Sequence, residues 1–203
     1  MRLFVAISPP AAALAELEKA VAPLRAVQPD LRWTSPGSWH ITLAFLGEVD
    51  EAVLDRLTVR LEHAAARHPG LTLSAAGGGA FPTAPRARVL WTGLHADLHA
   101  LRTTAAAVAK GARLAGAPPP DGQRRFRPHI TLARSREPTN VSRLVAELAG
   151  YSGMTWPADR VHLIRSHLGP NPWYESIGAW PLKAPVRQPT EAGLGDQAAG
   201  AGA

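Results

Sequence analysis

The chain contains no cysteine. That excludes a disulfide framework, a thiol nucleophile and any thiolate-held metal or iron–sulfur centre. It also suits a reducing compartment, and a cytoplasmic protein is expected. Long apolar runs are missing too, so nothing approaches the length of a membrane span. The opening "MRLFVAISPPAAALA" has a basic residue and an apolar run. However, Leu3–Ile7 is short, Pro9 and Pro10 interrupt it, and Glu16 and Glu18 follow. An export segment needs a longer unbroken apolar stretch, so these residues read as a strand running into a helix. Acidic residues are in deficit: 16 Asp and Glu against 22 Lys and Arg leave a formal charge of +6. Such a surface attracts anions, and nucleic acid is the commonest anionic partner.

What is present is a core-forming pattern in a chain of 203 residues, 46% of them hydrophobic. Residues 3–8 read as a buried strand, and Leu14, Leu17, Val21 and Leu24 recur at helical spacing behind the two prolines. "WHITLAFLGEV" reads as a strand, and Leu54, Leu57, Leu61 and Ala65 mark a second helix. "LTLSA" and "ARVLWTGL" read as strands separated by a "GGGAFPTAP" loop. Leu98–Ala112 gives a third helix running to about residue 115, and "GAPPPDGQRR" is a loop by composition. "FRPHITLAR" is a strand, Leu144 and Leu148 mark a short helix, and "DRVHLIRSHL" and "YESIGAWPL" close the chain as strands. From residue 184 bulky apolar residues almost vanish, so 184–203 is expected to be a disordered tail behind one domain, 1–183. The fold class is α+β. The element order suggests a duplicated, bilobal unit, with two antiparallel-type sheets flanking a central cleft and helices on the outer faces.

The word "HITLA" occurs twice, at His40–Ala44 and at His129–Ala133. A strand turns alternate residues to opposite faces. His40 and Thr42 therefore share one face, as do His129 and Thr131, while Ile41, Leu43, Ile130 and Leu132 turn to the core. One such strand is ordinary packing, but two in matching context place two imidazoles and two hydroxyls around one pocket. With ordinary pKa values near 6.5, one imidazole can be neutral while the other is protonated. That is an acid–base pair for a phosphodiester with a sugar leaving group, and the hydroxyls can donate to phosphate oxygens.

Paired H-x-T-x motifs on separated strands resemble the signature of the two-histidine (2H) phosphoesterases. "RLFVAI", "WHITLAFLGEV", "PRARVLWTGL" and "FRPHITLAR" together are similar to its RNA 2′,3′-cyclic phosphodiesterase branch, also named 2′–5′ RNA ligases. The resemblance covers about residues 2–182. It implies a bilobal fold with a metal-free, cofactor-free cleft that opens a terminal 2′,3′-cyclic phosphate to a 2′-phosphate. In that scheme His40 is the proton donor to the departing 3′ oxygen and His129 the base that activates water. Thr42 and Thr131 bind the phosphate. The pattern departs at "SHLGPNPWYES", which keeps Ser166, Leu168 and Tyr174 but carries "PNP" where the family has a glycine region.

Around the motifs, Arg134 is a candidate phosphate contact. Strict alternation would turn it to the core face, so the strand is expected to end or bend there. Phe126 and Tyr174 either stack on a base or belong to the core. Arg86, Arg88 and the "RRFR" at 124–127 either contact substrate or form a solvated basic face. His95 and His99 have i, i+4 spacing without the Glu of a zinc motif, and the Gly77–Gly79 run lacks the Lys and Ser/Thr of a phosphate loop. No metal site is expected. The partner is RNA with a cyclic phosphate end, or a small cyclic nucleotide, met by a monomer. The rival from another class is a non-catalytic RNA-end binder, and 2′–5′ ligation is the same reaction run backwards.

Overall fold

Prolines, caps and apolar spacing set the elements of the computed structural model, which describes residues 1–120, 126–169 and 173–184. The strands are β1 (Arg2–Ile7), β2 (Arg32–Trp33), β3 (Ile41–Glu48), β4 (Leu71–Phe81), β5 (Ala87–His95), β6 (Ile130–Thr139), β7 (Trp156–Ala158), β8 (Arg160–His167) and β9 (Trp173–Pro181). The helices are α1 (Ala11–Val27), α2 (Leu54–Ala65), α3 (Leu98–Ala115) and α4 (Ser142–Leu148). Pro10, extended at φ −70°, starts α1. Helix α3 is closed at both ends. The Asp97 carboxylate accepts from the amides of His99 and Ala100, and Gly116 at φ +95° ends it in the left-handed conformation.

The strands are antiparallel neighbours in the order β7-β4-β5-β6-β3-β1-β8-β9, with β2 added on β6. The sequence suggested two sheets; hydrogen bonding instead joins the strands in one path. The path has two four-strand halves, and the motif strands β3 and β6 are the junction, paired only at Ile41↔Ile130. The halves are not consecutive in sequence. Helices α2 and α3 pack together on the side of β3 and β9. Helices α1 and α4 meet over the other half, where Leu24 and Leu148 line a shared groove and α4 lies on β4. The chain therefore crosses between halves several times, after β1, between β2 and β3, between α2 and β4, on either side of α3, and between β7 and β8.

Other differences have local causes. The glycine run is not a loop but the middle of β4, with a bulge between Ala76 and Gly79 and Gly77 at φ +63°. A side chain at Gly78 would meet Leu148, and one at Gly79 would meet the Trp91 ring. These glycines let α4 and an indole lie close to the backbone. Strands β2 and β7, two and three residues long, are too short for periodicity to reveal. The expected tail, apart from Ala184, and Arg124 and Arg125 lie outside the described residues. No helix among the described residues is long and apolar enough to cross a membrane.

Candidate active site

Ile41, Leu43, Ile130 and Leu132 are at most 5% exposed and belong to the main core, so the alternation read from the sequence holds. The antiparallel register at Ile41↔Ile130 sets His40 across from Thr131 and Thr42 across from His129. Each motif thus supplies the histidine for one side and the threonine for the other.

Both rings are held in the same way. His40 Nδ1 lies 2.7 Å from the carbonyl oxygen of Ser38, and His129 Nδ1 lies 2.7 Å from that of Arg127. A carbonyl can only accept, so Nδ1 carries the proton in each and Nε2 is left for chemistry. Aromatic neighbours fix the planes. Phe4 lies 4.6 Å and Tyr174 5.3 Å from the His40 ring, while Phe81 lies 5.0 Å and Trp91 6.1 Å from that of His129. Burial against these rings pushes the His40 pKa down from 6.5 to about 4; the Ser38 carbonyl opposes this, and the Arg134 and His129 charges add to it. Burial and then Arg134 push His129 down as well, opposed by the Arg127 carbonyl. Both rings are thus shifted toward the neutral form, away from the ordinary imidazole value used in reading the sequence. With no anion between them, both are neutral near pH 7.

Arg134 reaches this position through a bulge. Thr131 pairs with Trp91 and Ala133 with Leu90, so β6 carries one extra residue at Leu132. Leu132 and Ala133 are both buried, the alternation flips, and the exposed Arg134 falls on the histidine face. Of the end or bend expected there, the strand shows the bend: the bulge takes Arg134 off the core face to which strict alternation would turn it. Strand β3 has the same device: Ala6 pairs with Thr42 and Val5 with Ala44, so the extra residue is Leu43. The place of Arg134 is there taken by Phe45, with the Arg2 guanidinium 4.9 Å from its ring.

Tyr174 is 39% exposed and stands edge-on to His40. Phe126 packs against the core, one of the two places considered for it, and its partly exposed side lines the cavity beside His129. Arg88 donates to the Arg136 carbonyl and Arg86 is exposed at the end of a short turn, so neither is brought to the histidines. His95 ends β5 and His99 begins α3, which breaks the helical spacing read for them. Among the described residues no three metal-ligating side chains cluster. The sequence reading missed Phe4, Phe81 and Trp91, whose contacts depend on strand order. It also missed Arg102 and Arg113, although their helical spacing was there to be seen; Arg127, left between a substrate contact and a solvated basic face, is exposed and lines the cavity beside His129.

Three open cavities lie about the site, two of them lined by His129 and the third by Arg134 and Tyr174. One of about 350 Å³ lies under Phe81, Trp91, Arg102 and His129. A second, about 390 Å³, runs from Thr42 and His129 along α3. The third, about 450 Å³, lies between Arg32, Trp33, Thr34, Arg134 and Tyr174.

A family model for the 2′-5′ RNA ligase superfamily matches residues 9–170. The chain belongs to this superfamily. A superfamily relative from Thermus thermophilus, named RNA 2′,3′-cyclic phosphodiesterase, is 32% identical over 98% of the chain and 100% of its own length. Relatives with the same name from Geobacillus stearothermophilus and Aeropyrum pernix are 31% and 36% identical, over 80% and 53% of the chain. The chain spans 51% and 59% of their lengths, little more than half. Among solved structures, TT0787 of Thermus thermophilus superposes with a TM-score of 0.71 at 30% identity, covering 91% of this chain and 99% of that one. E. coli LigT complexed with 3′-AMP gives 0.70 at 26% identity, covering 89% and 97%.

Proposed function

We propose that the protein hydrolyses terminal RNA 2′,3′-cyclic phosphates to 2′-phosphomonoesters by acid–base catalysis between His40 and His129. The observation that carries this reading is the matched anchoring of the two rings. Each is tied at Nδ1 to a carbonyl two residues upstream, and each is set across from the other motif's threonine. The names of the superfamily relatives support the substrate class.

In this scheme the cyclic phosphate lies between the imidazoles, with Thr42, Thr131 and Arg134 on its non-bridging oxygens. Nε2 of neutral His129 takes a proton from water as the water oxygen bonds to phosphorus. The phosphorus–O3′ bond breaks, and Nε2–H of protonated His40 supplies the proton to O3′. The product has a 3′-hydroxyl and a 2′-phosphate, and proton exchange with solvent resets the pair. The assignment of acid to His40 and base to His129 follows the family resemblance. His40 is neutral in the free protein at pH 7, so its proton has to arrive with substrate. The phosphate anion offsets Arg134 and raises the imidazole pKa. Developing charge on the phosphate is met by hydroxyl and guanidinium donors.

The histidines stand on the two halves of the sheet, and we take these halves as copies of one duplicated unit facing across a cleft. No step calls for a metal or cofactor. We assign the protein to the cytoplasm, as a monomer. Ligation to a 2′–5′ bond is the same path reversed and is secondary in water. Phosphorus NMR of a reaction on an oligonucleotide 2′,3′-cyclic phosphate tests the reading. A 2′-phosphate product, formed equally with and without a chelator, is expected. Binding without turnover would favour the RNA-end binding module, and loss on chelation would require a metal.

A further inference from the structure

Helix α3 carries a feature that the proposed hydrolysis does not use. Its eighteen residues contain no Asp or Glu, but they include Arg102, Lys110 and Arg113. Leu101, Ala105, Val108 and Ala112 bury one face in the core. Arg102, Ala106, Ala109 and Arg113 form the adjoining face, which lines the same cavity as Thr42 and His129. Arg102 and Arg127 also border the cavity under Trp91. The alanines make a shallow floor between the two arginines, which are eleven residues apart and therefore about 16 Å apart along the axis. No mononucleotide bridges that distance. Arginine rather than lysine at both ends suits bidentate contact with phosphate. Neither Arg102 nor Arg113 is paired with an acidic side chain among the described residues.

We propose that the Arg102–Arg113 face of α3 is a track for the phosphodiester backbone of single-stranded RNA upstream of the reacting end, so that the preferred substrate is an oligonucleotide rather than a cyclic mononucleotide. This rests on the hydrolysis reading for the position of the reacting end, but its test does not need turnover. A strand whose last phosphate lies at the histidines leaves through the α3 cavity, with its preceding phosphates over Arg102 and then Arg113. Both side chains are exposed, so glutamine at either position leaves the core intact.

The test is fluorescence anisotropy of a 5′-labelled single-stranded hexanucleotide ending in a 2′-phosphate, measured from about 50 to 300 mM salt. Losing two phosphate contacts on a single strand should reduce the slope of log affinity against log salt by about 1.4. The Arg102→Gln, Arg113→Gln double variant should therefore bind at least about tenfold more weakly at the lowest salt, with that shallower slope. In a second arm, Arg113→Gln alone should raise KM for a hexanucleotide cyclic phosphate and leave kcat/KM for a cyclic mononucleotide unchanged. An unchanged affinity and salt slope in the double variant would overturn the track, even if both cyclic phosphates are still hydrolysed. Wild-type protein that hydrolyses neither substrate would overturn the hydrolysis reading, while the anisotropy would still decide the track.

Discussion

The two imidazoles owe their orientation to one backbone carbonyl each, and their neutrality to burial beside a guanidinium. Because both pKa values are lowered, protonation is resisted in the free protein and gained with an anionic ligand. The sign is testable at Arg134. Removing its charge in Arg134→Gln should raise the pKa of both His40 and His129, since Arg134 lowers each. Titration of the imidazole proton resonances would show this directly. The acid limb of kcat/KM, which reports the free enzyme, should move to higher pH in parallel. Turnover should fall as well, since a donor to the phosphate is lost. Two histidine titrations unchanged from wild type would mean that Arg134 does not face the pair.

Among the elements, the bulges and the glycine run place the side chains. Residue alternation made His40, Thr42, His129 and Thr131 legible, because β3 and β6 follow period two as far as the threonine. Arg134 was legible only as a break in the alternation: one extra residue at Leu132 inverts the faces, and a bulge leaves no mark on composition. The helices were legible for the opposite reason: their apolar spacing and their prolines or caps agree. The Gly77–Gly79 run was misread as a loop, since the need for glycine comes from Leu148 and Trp91, which are distant in sequence. This gives a prediction at Gly79. An added methyl would run into the Trp91 ring, so Gly79→Ala should cost about 1–3 kcal/mol by overpacking. Thermal melting would report it as a drop of several degrees. Activity should fall further than the lost stability explains, because Trp91 packs beside His129. Gly150→Ala, with open space at its Cβ, is the matched control.

The whole molecule brings together two short words of sequence that lie far apart in the chain. The pairing needs the strand order, since β3 and β6 become neighbours only because β1, β8 and β9 complete one half and β4, β5 and β7 the other. The helices and the longer strands were legible, but not the crossings that interleave the halves, which depend on which helix covers which strands. The central claim is that the paired histidines act as one catalytic unit. It is tested most directly by turnover of an oligonucleotide 2′,3′-cyclic phosphate by His40→Ala, His129→Ala and the double variant, each verified as folded. The account predicts that each single change lowers kcat by about 10²–10⁴-fold. The double change should cost little more than either alone, because a pair that moves protons together fails when one member is lost. A folded double variant with wild-type turnover would contradict it.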